Sequence, residues 1–389
     1  MARLAADVTA DVTADVTADV TADVAVVFGG PSPEHDVSVL TGLQAARALG
    51  VRCLYWTKTG EWYDVDPRLE ASAFVEGVPQ RATRVQLLLE SGFTSDAGRF
   101  GRPRPLDVEV AVLCCHGGPG EDGTLQAALD LAGVRYTGPT VAGAALGMDK
   151  LAFGDVVAGA GLPALPRVLL DKTTRDVGFG PPYIVKPRFG GSSIGIVANV
   201  ADLQTALALL DANHHLRAGA VIEPYRSDLY DLQVAVRSWP EVTLSAVERP
   251  LRTPRAGGAA GEPEILGYAD KYVGGEGMAS APRELPAAID GGLEQRLRGV
   301  AGSVARLCSA RGVMRVDFLS DGRELFVNEV NTIPGSLARY LWIDPPVSFR
   351  TLLSGMVAEA RAHPTHHYTA EGADGTVLKG AASIAAKLA

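Results

Sequence analysis

The sequence of 389 residues has few cysteines, no long apolar run and no excess of basic residues. Its four cysteines show no Cys-x-x-Cys spacing, which argues against a disulfide framework or a zinc ribbon and favours a reducing cytoplasm. No stretch approaches the roughly 18–20 uninterrupted apolar residues that a membrane span needs. The 36 Lys+Arg against 45 Asp+Glu give a net charge of −9, whereas nucleic-acid binders carry basic clusters. We therefore expect a cytoplasmic protein without nucleic-acid or membrane partners.

The composition that is present predicts a folded protein of several domains. Apolar residues make up 47% and charged residues 21%, close to the average of globular chains. The first segment is the exception, because Asp-Val-Thr-Ala repeats four times over residues 7–22. This period is far too short for a solenoid repeat, and β-branched Val and Thr disfavour a stable helix. We interpret residues 1–23 as a disordered low-complexity leader, with a partner-binding or targeting tag as the alternative.

Apolar runs and turn signals predict an α/β domain over residues 24–140. The predicted elements are strands at 24–28, 51–56, 108–115 and 135–136 and helices at 36–49 and 124–132. Units of strand, turn, helix and strand at these lengths favour a parallel, doubly wound, Rossmann-like sheet.

The rest of the chain predicts two smaller α+β lobes, at 141–230 and 231–363, followed by a tail at 364–389. Predicted strands lie at 183–186, 196–200, 221–224, 232–236, 243–247, 315–319 and 325–329, with helices at 149–160, 202–211 and 291–311. A Gly-, Ala- and Pro-rich stretch at 254–263 predicts a surface loop.

One loop of the central lobe, residues 186–195, has the composition of a phosphate-binding flap. Its sequence is Lys-Pro-Arg-Phe-Gly-Gly-Ser-Ser-Ile-Gly. Small residues let backbone N–H groups approach phosphate oxygens, and the hydroxyls add donors. The loop matches neither a Walker motif nor a dinucleotide fingerprint, so an ordinary β-hairpin turn is the alternative.

A predicted hairpin of the C-terminal lobe carries oxygen ligands. Alternation places Glu329 and Asn331 on one face of its second strand, and Asp317 can face them from the first. Two carboxylates and an amide oxygen suit Mg²⁺ held together with nucleotide phosphates. The flanking residues are apolar, which favours this interpretation over a solvated hairpin face.

Glu34 and His116 are two further candidates. Each follows a predicted strand of the N-terminal domain, at the carboxyl end where doubly wound sheets bind ligands. A capping or surface role is the alternative for both.

Together these segments resemble the D-alanine–D-alanine ligases, which belong to the ATP-grasp class of carboxylate–amine ligases. The resemblance covers residues 24–364. The matching segments, in order, are 26–38, 116–126, 136–138, 148–150, 186–195, 270–272, 315–317 and 329–335. It implies an ATP-grasp fold and an ADP-forming enzyme that joins two D-alanines through an acyl phosphate, for peptidoglycan precursors. It also implies Mg²⁺, with two ions and Mn²⁺ as a substitute, and a homodimer.

The resemblance assigns roles to individual residues. Glu34 would grip the ammonium of the first amino acid, and His116 would stand near its carboxylate. Arg315 and the Gly335 N–H would form the oxyanion hole, while Tyr272 would belong to the closing loop. Nucleotide contacts would come from Lys150, Lys186, Ser192, Ser193, Glu223, Tyr225, Arg226 and Lys271. The Mg²⁺ ligands would be Asp317, Glu329 and Asn331.

Two positions depart from the family pattern. The family commonly has a glutamate seven residues after the position of Glu223, where it would bind the ribose hydroxyls, but this chain has Tyr230 there. With a one-residue insertion, Asp231 would make the ribose contact instead. Tyr340 stands where well-known members have a serine that helps to seat the second D-alanine. The leading hypothesis is a D-alanine–D-alanine ligase. The alternatives are the same mechanism with another amino acid in a specialised pathway, or a non-catalytic nucleotide-binding regulator.

Overall fold

The structure, a computed structural model, describes residues 23–96, 102–251, 282–363 and 370–379. The part of the expected leader before residue 23, the expected loop at 254–263, Lys271, Tyr272 and most of the expected tail lie outside the described residues. Within the described residues no helix is long and apolar enough to span a membrane. The four cysteines are all buried and unbridged.

The helices alternate with short strands along much of the chain. In chain order they are α1 (His35–Leu49), α2 (Thr124–Ala132), α3 (Val141–Met148), α4 (Lys150–Gly159), α5 (Leu203–Ala212), α6 (Gly291–Leu307), α7 (Phe349–Ala362) and α8 (Thr376–Lys379).

The N-terminal domain is built on one mixed sheet of seven strands. They are β1 (Val24–Gly29), β2 (Arg52–Trp56), β3 (Trp62–Val65), β4 (Thr83–Leu88), β5 (Gly92–Ser95), β6 (Val110–Leu113) and β7 (Arg135–Tyr136), in the order β5-β4-β3-β2-β1-β6-β7. Strand β1 is buried along its whole length and pairs in parallel with both β2 and β6. A central parallel strand is covered on both faces, which explains its uninterrupted apolar sequence.

The parallel part of this sheet confirms the prediction, and its other edge adds three antiparallel strands that were not predicted. Strands β2 to β5 form an antiparallel series. These edge strands are four to six residues long and interrupt their apolar residues with polar ones, so they lack the apolar runs that identified the parallel strands.

Helix α7 packs back onto the N-terminal domain. It contacts α1, β6 and β7, and its apolar residues Leu352, Leu353, Met356 and Val357 belong to the N-terminal core. The expected C-terminal lobe, 231–363, therefore ends in a helix that shares its core with the N-terminal domain.

The central lobe is a four-stranded antiparallel sheet. Its strands are β8 (Val168–Leu170), β9 (Tyr183–Pro187), β10 (Val197–Val200) and β11 (Ala220–Pro224), in the order β10-β9-β11-β8. Helix α5 begins after Asp202, whose carboxylate accepts the Thr205 N–H at 2.7 Å and so caps the helix. This lobe has an apolar core of its own.

The C-terminal lobe has a second four-stranded sheet. Its strands are β12 (Tyr230–Arg237), β13 (Thr243–Leu244), β16 (Val313–Ser320) and β17 (Leu325–Asn331), in the order β13-β12-β16-β17, and β14 (Arg249–Pro250) pairs separately with β15 (Arg283–Glu284). Helix α6 covers this sheet. Phe153 and Val157 of α4 join the same core, although the sequence placed α4 with the central lobe.

Candidate active site

Two adjoining cavities lie where the three parts of the protein meet. The first runs between the central and C-terminal sheets and has about 1040 Å³ of space, including its open mouth. The second, of about 740 Å³ on the same basis, is closed on one side by the N-terminal domain. Lys150, Gly190, Gly191 and Glu329 line both cavities, so the two share a wall.

The first cavity brings together most of the residues expected to bind nucleotide. The expected nucleotide-binding residues that line it are Lys150, Lys186, Ser193, Glu223, Tyr225, Arg226 and Asp231. The expected metal ligands Asp317 and Glu329 also line it, and Ser192 lines the second cavity instead. Arg226 forms ion pairs with Asp228 at 2.6 Å and Glu324 at 2.9 Å at the outer side of this cavity.

Glu223 is the centre of a buried charge network in the wall of the first cavity. Its carboxylate is only 1% exposed and lies 2.9 Å from both Lys186 Nζ and Arg167 Nε. The Arg167 contact is an ion pair whose angle falls outside hydrogen-bond geometry. These two cations hold the pKa of Glu223 below its usual range, against the opposing effect of burial. Glu223 therefore holds Lys186 in place, and this contact was not expected from the sequence.

Lys150 connects helix α4 to the glycine-rich loop. Asp149 caps α4 by accepting the backbone N–H groups of Leu151 and Ala152, which places Lys150 at the first position of the helix. Its ammonium donates to the carbonyl of Gly190. Burial lowers the pKa of Lys150, while the carboxylate of Glu329 acts in the opposite direction. The backbone N–H groups at this helix start are used by Asp149 and by the carbonyl of Arg188, so the ammonium of Lys150 is the group that can attract a phosphate to this point of the shared wall.

The glycine-rich loop has an unusual backbone at its tip. Ser192 and Ser193 have φ angles of 52° and 58°, in the left-handed region that non-glycine residues rarely adopt. The hydroxyl of Ser192 donates to Glu34 Oε1, which joins the loop to the N-terminal domain. Backbone strain of this kind persists where surrounding contacts impose it and is concentrated at functional sites.

In the hairpin of β16 and β17 the expected metal ligands lie close together. Asp317 pairs directly with Glu329, and Arg315 pairs with Asn331. The amide nitrogen of Asn331 donates to Asp317 at 3.0 Å, which leaves the amide oxygen as its potential metal ligand. Arg315 also binds Asp317 through two hydrogen bonds of 2.6 and 2.8 Å. Arg315, the expected oxyanion donor, and Asp317, an expected metal ligand, therefore hold each other in position.

A β-bulge in β17 adds a residue to this face that alternation could not predict. The register passes from Asp317–Glu329 to Phe318–Val327, so Asn328 is an extra residue. As a result Asn328 and Glu329, although adjacent, both line the first cavity. The amide oxygen of Asn328 accepts a hydrogen bond from Lys186 at 3.2 Å.

The second cavity brings together the residues expected to handle the first amino acid. Glu34, His116, Ser192, Arg315 and Gly335 all line it. Gly117 and Gly191 lie so close to the Glu34 carboxylate that a Cβ on either would crowd it, and Gly117 also has a φ of +62°. The parallel pairing of β1 with β6 brings the loops that carry Glu34 and His116 to one edge of the sheet, as predicted.

The same cavity contains a half-buried carboxylate to which the sequence assigned no role. Glu121 accepts hydrogen bonds from the Gly117 and Ile333 N–H groups, both at 2.9 Å. Burial raises its pKa to about 7, and the charge of Glu34 acts in the same direction. The position of Glu121 in the Gly-rich loop 116–123 is the sequence signal that could have identified it as a site residue. Arg167 had no comparable signal, because it is a lone arginine before an apolar strand.

Tyr340 lies beside Arg315, outside the linings of both cavities. The guanidinium of Arg283 stacks on its ring, 4.9 Å from the centroid, and the same guanidinium contacts Glu248 at 3.1 Å. Burial raises the pKa of the Tyr340 hydroxyl and raises that of Glu248 to about 7. Among the described residues, Tyr340 is therefore part of a charged cluster behind Arg315.

Two family models match the chain and together cover most of it. The model of the D-ala D-ala ligase N-terminus matches residues 23–139, and that of the D-ala D-ala ligase C-terminus matches residues 163–358. A D-alanine–D-alanine ligase of Bradyrhizobium sp. (strain BTAi1) is 31% identical over 362 residues, which is 87% of this chain and 95% of that protein.

Solved structures match the fold along most of its length. D-Alanine-D-Alanine Ligase from Helicobacter pylori superposes with a TM-score of 0.68 at 22% identity, covering 89% of this chain and all of that one. D-alanyl-alanine synthetase A from Vibrio cholerae superposes with a TM-score of 0.71 at 20% identity, covering 88% of this chain and 99% of that one. These matches establish the ATP-grasp fold.

Proposed function

Because the chain belongs to the family of D-alanine–D-alanine ligases, we propose that it is an ATP-dependent, ADP-forming enzyme that joins two D-alanines for peptidoglycan precursors. The observation that carries this proposal is the pair of adjoining cavities with a shared wall. One cavity is suited to a nucleotide and the other to a small amino acid, so a phosphoryl group can pass between them.

The first cavity is proposed to bind ATP. Lys150 and Lys186 face it with ammonium groups suited to the α- and β-phosphates, and the loop 190–195 covers the phosphates with backbone and hydroxyl donors. Tyr225, Arg226 and Asp231 line the same cavity and are proposed to frame the adenosine. Lys271, outside the described residues, is proposed to reach the γ-phosphate.

Membership of this family implies Mg²⁺, and the donor set of the hairpin fits it. Asp317 and Glu329 face one another across the strand pair, and Asn331 lies beside them. Carboxylate and amide oxygens are the ligands that Mg²⁺ accepts, and two ions, or Mn²⁺ in their place, are proposed here. When bound, the metal neutralises charge on the transferring phosphoryl group. Lys150 contributes a positive charge of its own at the shared wall, whether or not the metal is bound.

The second cavity is proposed to hold the first amino acid and the acyl phosphate made from it. Glu34, buried and reached by the hydroxyl of Ser192, is placed to accept hydrogen bonds from an ammonium group. Attack of the second amine on the acyl carbon creates an oxyanion, for which Arg315 and the N–H of Gly335 are the proposed donors. Tyr272, outside the described residues, is proposed to belong to the loop that excludes water.

Tyr340 is proposed to influence the choice of the second amino acid. Its stacking on Arg283, beside Arg315, puts a bulky aromatic side chain next to the proposed oxyanion donor. A ligase of the same mechanism with a different acceptor is therefore the second candidate.

The test of the proposal is ADP release, measured with single amino acids and with pairs drawn from a panel of D- and L-amino acids. We expect release that depends on D-alanine, with dialanine identified by mass spectrometry. Release with another acceptor alone would favour the second candidate, and release with no pair would refute the ligase proposal. Asp211→Asn, which changes an exposed ion pair with Lys172, is the matched control for the site variants.

We also propose the organisation expected from the sequence, with domains at 24–140, 141–230 and 231–363, as well as a homodimer and a cytoplasmic location. Three apolar cores support three units, although α7 belongs to the N-terminal core and α4 to the C-terminal one, and four unbridged cysteines fit a reducing compartment. Light scattering at several concentrations tests the dimer, and a single mass equal to one chain would refute it.

A further inference from the structure

Three side chains of the N-terminal domain hold the backbone segment 333–336, next to the proposed oxyanion donor. His116 Nδ1 lies 2.8 Å from the carbonyl oxygen of Ile333, and Glu121 accepts the Ile333 N–H at 2.9 Å. Thr41 of α1 accepts the Ser336 N–H at 3.1 Å. The N–H and the carbonyl oxygen of Ile333, and the N–H of Ser336 just after Gly335, are thus all hydrogen-bonded to side chains of another domain.

The hydrogen bonds of His116 determine its tautomer. A carbonyl oxygen can only accept, so Nδ1 must carry the proton that is donated to Ile333. The ring is buried, and burial together with the charge of Arg315 lowers its pKa to about 4, which leaves it neutral at pH 7. Nε2 is then an acceptor, and the Thr41 hydroxyl donates a hydrogen bond to it at 2.8 Å.

Thr41 consequently links two of these contacts. Its oxygen accepts the Ser336 N–H while its O–H donates to His116 Nε2, so one buried hydroxyl holds both groups. Neither ring nitrogen of His116 has a proton left for a substrate carboxylate. This differs from the role that the family resemblance implies for His116.

The held segment leads into a backbone that needs external support. Ser336, Leu337 and Ala338 have φ angles of 50°, 48° and 50°, three consecutive non-glycine residues in the left-handed region. Such a run is unfavourable for L-residues and persists only where neighbouring contacts impose it. Gly335 lies between the held Ile333 and this turn, so the direction of its N–H depends on both.

We propose that Thr41, His116 and Glu121 act as positioning residues that aim the Gly335 N–H at the oxyanion, with His116 as a neutral donor rather than a substrate contact. This inference rests on the proposed function. We refer to the three side chains as the Ile333 clamp. They act through backbone hydrogen bonds, so their loss is expected to weaken binding of the transition state more than binding of either substrate.

The test compares Thr41→Val, which keeps the shape and removes the hydroxyl, with Thr41→Ser, which keeps the hydroxyl. We expect Thr41→Val to lower kcat and kcat/KM for D-alanine together by about tenfold or more, because the buried His116 ring and the half-buried Ser336 N–H both lose their partner. The KM for ATP should stay within about twofold. Thr41→Ser should rescue kcat. A rise in the KM for D-alanine with unchanged kcat, or no effect of Thr41→Val, would overturn the proposal.

A second measurement tests the clamp without turnover. Nitrogen and carbon chemical shifts of the imidazole distinguish the two neutral tautomers and the imidazolium, and His116→Asn identifies the signal among the seven histidines. We expect the Nδ1–H form at pH 7 in the wild-type protein, and the Nε2–H form or an imidazolium would overturn the proposal. If the wild-type protein makes no dialanine, the proposed function fails, whereas these shifts still decide the state of His116.

A third pair of variants covers the case in which Thr41→Val does not fold, as judged by thermal melting. His116→Asn retains a donor at the position of Nδ1, and His116→Leu removes it. We expect His116→Asn to retain at least about tenfold more kcat than His116→Leu, since only it can still donate to Ile333. Equal activity of the two variants would refute the clamp.

Discussion

Replacement of Glu223 by glutamine is expected to destabilise the protein strongly. The carboxylate is 1% exposed and compensates two cations, Lys186 and Arg167, whose side chains are 8% and 3% exposed. Removing one partner of a buried ion pair leaves an uncompensated charge and costs about 3–5 kcal/mol, and here a glutamine oxygen still accepts one hydrogen bond. We therefore expect the free energy of unfolding to fall by about 3 kcal/mol, near the lower end of that range.

Urea unfolding with and without ATP and Mg²⁺ measures this effect. Phosphates near Lys186 would replace part of the lost negative charge, so ATP should raise the midpoint of Glu223→Gln more than that of the wild-type protein. The matched control is Asp211→Asn, whose ion pair with Lys172 is 2.7 Å long and more than 70% exposed on both sides. An exposed pair contributes about 0–1 kcal/mol. A loss of under about 1 kcal/mol in Glu223→Gln would refute the reasoning.

The pH dependence of the same variant follows from the direction of the pKa shift. The pKa of Glu223 is lower in the folded protein than in the unfolded chain. Its contribution to stability is then complete above the unfolded pKa of about 4.3 and is lost as the pH falls through the folded value. The difference in unfolding free energy between the wild-type protein and Glu223→Gln should therefore be constant near neutral pH and shrink in acid. A difference that grows in acid would contradict the assignment.

The other predictions concern activity. Glu329→Gln removes a charge from the proposed metal site and should lower kcat by about 100-fold or more, whereas activity within a few-fold of wild type would show that the metal assignment is wrong. Tyr340→Ser should change the order of preferred acceptors in the ADP-release assay more than the KM for ATP, and the reverse pattern would refute its proposed role. Deletion of residues 1–22, which precede both family models, should leave kcat unchanged, and a large loss would overturn the interpretation of the leader.

Much of the fold could be predicted from local patterns. Helix Thr124–Ala132 and strand Arg135–Tyr136 lie at the predicted residues, because Gly123 and Gly133 punctuate the apolar pattern at both ends of the helix. The packing of α7 onto the N-terminal core could not be predicted in this way. Its amphipathic sequence specifies a face to bury, and nothing in that pattern states which domain covers it.

The candidate site shows the same division between local and distant information. Pairing of Asp317 with Glu329 followed from alternation, which is a local rule. The position of Asn328 did not, because a bulge interrupts that rule by one residue. Arg167 and Glu121 were missed because their partners, Glu223 and Ile333, are far away in the chain. A buried charge can be interpreted only once its partner in space is known.

The wall shared by the two cavities has a consequence for inhibition. Lys150 and Glu329 border both the proposed nucleotide site and the proposed amino acid site. A single compound that spans this wall would exclude ATP and the first amino acid at once, and its inhibition would be competitive against both substrates. A compound confined to one cavity would compete with one substrate only. The pattern of inhibition would therefore report which side of the wall a compound occupies.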